Sequence, residues 1–193
     1  MIKSCIPFLF IILISCNNKS AEKEEENTEF FPVISFLKSQ TAHVDTSLYN
    51  IIKIVTTNNV SDTVYLKREQ FRDNAKEFLT LPDLSGKNLK KKYTETEMYD
   101  EELKAVILNY SPKKGEGEIR RQEVLITPNE QTGDEVKSIF IDRLLDSKDS
   151  TVQKRMTWNV NKDFQIITII SKPDGSERVE TLKVIWNNFS FGG

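Results

Sequence analysis

Between residues 93 and 186 the chain repeats one arrangement seven times: a run rich in β-branched and aromatic residues, then a short cluster of turn formers. The runs are 93–98, 103–110, 118–127, 135–145, 152–160, 163–171 and 177–186. Between them lie Asp100-Glu101-Glu102, residues 113–117, 128–133 and 146–150, Asn161-Lys162 and Asp174-Gly175. Links this short join antiparallel neighbours, since a parallel pair needs a crossover of about a dozen residues or more. An up-and-down antiparallel meander follows. Asp174-Gly175 is the clearest hairpin signal and fits a type I′ turn.

Alternation sets the faces. In 152–160, Val152, Met156, Trp158 and Val160 fall on one side and Gln153, Arg155, Thr157 and Asn159 on the other, giving that strand one wet face. Ile166-Ile167-Thr168-Ile169-Ile170 and Val184-Ile185-Trp186 are apolar on both faces, which predicts cover on both sides. A sheet curling around helices, or closing toward a barrel, would supply it.

Ahead of the meander the period changes. Phe30, Val33, Ile34, Leu37 and Thr41 recur at spacings of three and four, predicting an amphipathic helix over 30–44 with Pro32 in its first turn. Residues 51–57 and 60–66 flank Asn58-Asn59 and read as a hairpin. Helical spacing returns over 67–79, with Phe71, Ala75, Phe78 and Leu79 on one side, and Pro82 ends it. Residues 83–92, closing on three lysines, read as a loop. The fold class is therefore α+β: a curved antiparallel β-meander of about seven strands, preceded by two helices and a hairpin, with half-barrel curvature. Phe189 and Phe191 close the chain in a short tail that either folds back or frays.

The N-terminus obeys different rules. Lys3 precedes the apolar run 6–14, interrupted only by Pro7, and the run closes on Leu13-Ile14-Ser15-Cys16. As a helix that run rises about 14 Å against a hydrocarbon core of roughly 30 Å, so it has the dimensions of a secretion signal and not of a span. Leu13-Ile14-Ser15-Cys16 resembles the lipobox of bacterial lipoproteins. The resemblance implies cleavage before Cys16, a diacylglyceryl thioether on its sulfur and acylation of the new N-terminus. Asn17 in place of aspartate implies outer-membrane sorting by the enterobacterial rule. Residues 17–29 follow, polar and acidic through Glu22, Glu24, Glu25 and Glu26, and cannot bury enough surface to offset their ordering entropy. They read as a tether of at most about 45 Å, and an acidic run there also resembles surface-export signals of some Gram-negative lipoproteins. The expected organisation is a signal peptide over 1–15, a lipidated acidic tether over 16–29 and one α+β domain over 30–193.

Composition limits the chemistry. With 27 basic and 29 acidic residues the chain has no electrostatic footprint for nucleic acid. Of its two cysteines, Cys5 falls in the signal and Cys16 would carry lipid, so the domain is expected to fold without a disulfide. His43 is the one histidine and stands without ligand-spaced partners. Gly115-Glu116-Gly117 lacks the lysine and hydroxyl residue of a phosphate loop. Glu95 and Glu97 share a strand face and, with Asp100, Glu101 and Glu102, read as a solvated acidic edge. Phe140, Trp158, Phe164 and Trp186 are candidate core, or the lining of an apolar pocket. No catalytic residue, metal ligand or cofactor site is expected. The partners expected are a membrane, through the acyl anchor, and an envelope protein or apolar ligand. The combination of helices with doubly apolar strands resembles the open half-barrels of lipoprotein-carrier and lipoprotein-receptor folds, which gives the alternative of an apolar-ligand carrier.

Overall fold

A computed structural model describes residues 29–187. Helix α1 (Val33–Thr46) comes first, then strands β1 (Ile51–Thr57) and β2 (Val60–Leu66). A 3-10 turn over Arg68–Gln70 leads into the short helices α2 (Phe71–Asn74), α3 (Lys76–Leu79) and α4 (Lys87–Lys90). Seven strands complete the body: β3 (Tyr93–Asp100), β4 (Ala105–Pro112), β5 (Ile119–Thr127), β6 (Glu135–Asp146), β7 (Thr151–Asn159), β8 (Asp163–Ser171) and β9 (Glu177–Ile185). All nine strands form one curved, open antiparallel sheet in the order β2-β1-β9-β8-β7-β6-β5-β4-β3. The meander runs β3 to β9 as the turn signals require, and the N-terminal hairpin then adds to its last strand through β1.

The helices lie on the inner face of this sheet. Val33, Ile34, Leu37, Thr41 and Val44 are all buried on α1, and Phe30 is buried just ahead of it. The expected apolar stripe is therefore the docked one. The second helix departs from expectation, being broken into the 3-10 turn, α2 and α3, although Phe71, Ala75 and Phe78 are all fully buried as its spacing requires. Asn74 accounts for part of the break: its side chain donates to the Gln70 carbonyl at 2.7 Å, a local alternative to helix propagation. Residues 83–92, expected as a loop, contain the single turn α4.

The hairpin at Asn58-Asn59 forms as expected, and the β8–β9 turn differs from expectation. Asn58 and Asn59 both take positive φ, 50° and 65°, and form the two-residue link that a type I′ turn requires. At the β8–β9 link, Pro173 lacks the N–H that the residue before a type I′ pair exchanges with its partner, and Asp174 does not take the positive φ that turn requires. The Gly175 N–H donates to the Lys172 carbonyl at 3.0 Å and the Lys172 N–H to Ser176 at 2.9 Å, so the link has three residues with Gly175 (φ 81°) in the left-handed position.

Cover is one-sided. Ile167 and Ile169 point outward from β8, where no described element overlies them, and both are only partly buried. Their cross-strand neighbours Arg155 and Gln153 shield them with long stems, which replaces the expected second layer.

Candidate functional site

The sequence singles out Cys16, His43, the acidic edge, four aromatic residues and a glycine pair. Cys16, the lipobox and residues 1–28 lie outside the described residues, as does the tail 188–193 with Phe189 and Phe191.

Three of the four aromatics meet on the inner face. Register places Phe164 opposite Trp158 and Val184, and Trp158 opposite Ile139. Trp158 stacks on Phe164 with ring centroids 5.3 Å apart and planes 15° from parallel. Trp186 comes within 5.2 Å of Trp158. From the helices, Phe71 meets Trp186 edge-on at 5.1 Å, and Phe78 meets Trp158 at 5.2 Å and Phe164 at 5.4 Å. These five rings are buried and occupy the inner face of the curl beneath α2 and α3. Sequence reasoning missed Phe71 and Phe78 as their partners, although the apolar stripe over 67–79 contains both. Phe140 does not join them: it faces outward, under the Arg121 guanidinium at 4.9 Å.

The inner face turns polar beyond the aromatic cluster. Lys154 on β7 pairs with Glu77 of α3, and Arg143 on β6 pairs with Glu118 just before β5. Each cation is largely buried and has its carboxylate, so both pairs read as fasteners of cap to sheet and of strand to strand.

The acidic edge is mostly solvated, with Glu97, Glu101 and Glu102 exposed and Glu95 and Asp100 partly buried. Glu95 and Glu97 do share a face, on β3 opposite Tyr110 and Leu108. Glu95 is partly buried, and its Oε2 meets no hydrogen-bond partner. Burial pushes the Tyr110 phenol well above its ordinary range, and the neighbouring Glu95 carboxylate adds to the shift. The Tyr110 hydroxyl accepts the Phe31 N–H at 3.1 Å, while Phe30 packs on its ring at 4.9 Å. Asp100 accepts the Leu103 N–H at 2.9 Å and shapes the β3–β4 link.

The remaining candidates have structural surroundings. His43 is exposed near the end of α1, its ring 6.0 Å from Tyr49. Gly117 allows a close approach: a Cβ there would lie 2.8 Å from the Tyr93 hydroxyl, which donates to the Ile119 carbonyl at 3.0 Å. Of the terminal lysines, Lys90 sits 5.6 Å over the Phe30 ring. Among the described residues no three His, Cys, Asp or Glu side chains converge as a metal site would require, and no helix is long and apolar enough to cross a membrane.

A cleft of about 840 Å³ opens where α1 passes one end of the sheet, bounded by Phe36, Gln40, Val136, Lys137, Val160 and Lys162. It is open to solvent and mixed in polarity, unlike the enclosed apolar cavity that a lipid carrier would use. No protein-family model, curated protein or solved structure matches the chain.

Proposed function

We propose that this protein is a lipid-anchored lipoprotein of the bacterial envelope, on the outer membrane, whose β-rich body is a non-catalytic binding or interaction module. The observation that carries the reading is Leu13-Ile14-Ser15-Cys16 at the end of a short apolar run behind Lys3, with a polar acidic stretch after it. A single acyl chain binds a bilayer only marginally, and the three chains of the lipoprotein class would make release very slow. Residues 17–29 then serve as the spacer between lipid and body.

The packing of Phe71 and Phe78 against Trp158, Phe164 and Trp186 favours an interaction module over a carrier of an apolar ligand, because side chains fill the place such a ligand would take.

Intact-mass measurement on protein extracted from membranes tests the anchor. The expected species begins at Cys16 and carries the mass of three acyl chains. Cys16→Ser is expected to move the protein from the carbonate-washed membrane pellet to the soluble fraction. A Cys16→Ser protein that stays in the washed pellet overturns the proposal.

A further inference from the structure

Among the described residues, one long edge of the sheet has no neighbouring strand. β2 is the terminal strand on its side, and six of its seven residues are exposed. Asn58 and Asn59 make a two-residue link, and in such a link the flanking pair, Thr57 and Val60, exchanges both backbone hydrogen bonds. Bonded pairs then recur at every second position, so Val60, Asp62, Val64 and Leu66 spend their N–H and C=O groups on β1. Ser61, Thr63 and Tyr65 direct theirs away from the sheet. The outward set has three members at a spacing of two, centred on Thr63.

That set is complementary to itself. A two-fold axis at Thr63 puts Thr63 against its own copy and Ser61 against Tyr65, so that every outward donor and acceptor finds a partner in an antiparallel pair. The side chains agree with this register. Asp62, the one charged residue of β2, falls opposite Val64 instead of opposite itself, and Val60, which is 73% exposed, falls opposite Leu66. Of the devices that blunt an edge, β2 has no lysine, no proline and no bulge in its register with β1, and Asp62 is its one charge. The opposite edge differs, because β3 carries Glu95, Glu97 and Asp100 and would repel a copy of itself.

We propose that β2 is a self-association edge, through which two copies of this chain pair antiparallel about Thr63 to make one continuous sheet of twice nine strands. The contact is short. A seven-residue strand pair falls below the roughly 1,200 Å² of a stable interface, so the dimer is weak and exchanging in solution and is best captured covalently. Cα atoms of a hydrogen-bonded antiparallel pair lie about 5.5 Å apart, within disulfide range.

In the full chain, Thr63→Cys under mild oxidation is expected to give a disulfide dimer on a non-reducing gel. Thr96→Cys on β3 and the unsubstituted chain, treated alike, report any contribution from the native cysteines and from random collision. Adding Ser61→Pro to Thr63→Cys deletes an outward N–H and leaves the backbone bonds to β1 in place, removing only the exposed hydroxyl contact with Thr56. It is expected to cut capture by about tenfold, from two lost hydrogen bonds per dimer, with an unchanged circular dichroism spectrum. Capture at Thr63 no greater than at Thr96, or capture that survives Ser61→Pro in a folded chain, overturns the proposal.

Discussion

Trp158 is wholly buried, yet its indole N–H has no hydrogen-bond partner among the described residues, and the same holds for Trp186. An orphaned buried donor costs about 1–3 kcal/mol, so the ring is held in place by its faces and edges and in spite of its polar atom. Replacing it separates the two contributions. Trp158→Ala should cost about 3–5 kcal/mol through the cavity it leaves among Phe71, Phe78 and Phe164. Trp158→Phe should cost less than about 2 kcal/mol, since removing the orphaned N–H offsets part of the lost volume. Urea denaturation of both variants measures the difference, and a Phe variant as unstable as the Ala variant would contradict it.

At the scale of elements, the links between strands carry the local strain. Lys104, in the β3–β4 link, takes a φ of 49°, a conformation that costs a residue with a Cβ about 1–2 kcal/mol. Lys104→Gly should therefore raise stability by about 0.5–1 kcal/mol after glycine's greater unfolded-state freedom is subtracted. A higher denaturation midpoint checks this, and an equal or lower one would refute it. The links were also what made the sheet legible in the sequence: turn formers at regular intervals located all seven meander strands to within a few residues. The subtler chemistry of the links was not. A proline one residue ahead of Asp174-Gly175 changes the turn class, and a dipeptide signal does not include it. Periodicity found the stripe through Phe71, Ala75 and Phe78 without detecting that the backbone between them breaks, because the buried face is the same in one helix or in three short pieces. Cover was misread for a related reason. Alternation reports how apolar each face is, but long side chains on neighbouring strands can shield a face that no other element overlies. The Glu95 carboxylate was likewise legible as part of an acidic edge but not as a partly buried neighbour of Tyr110, since that contact joins strands through register.

For the molecule as a whole, two phenols tie the far edge of the sheet together. Tyr93 reaches the Ile119 carbonyl, and Tyr110 holds Phe31 at the entry to α1. Burial raises both above the ordinary 10.0. The sign follows from which state releases its protons first. Below pH 10.0 both states keep the phenols neutral and stability is unaffected. Above it the unfolded chain ionises while the folded chain does not, so stability falls as pH climbs. The denaturation midpoint should therefore decline on the alkaline side, and more gently in a Tyr93→Phe, Tyr110→Phe double variant. Identical alkaline slopes in the two proteins would remove the tyrosines from the account. The pairing of β1 with β9 has a consequence in time as well as in space. Ile52 meets Ile185, so β1 lacks its second strand neighbour until β9 has been synthesised. A contact that distant along the chain slows folding, and β1 keeps an unpaired edge on the ribosome until β9 has been made.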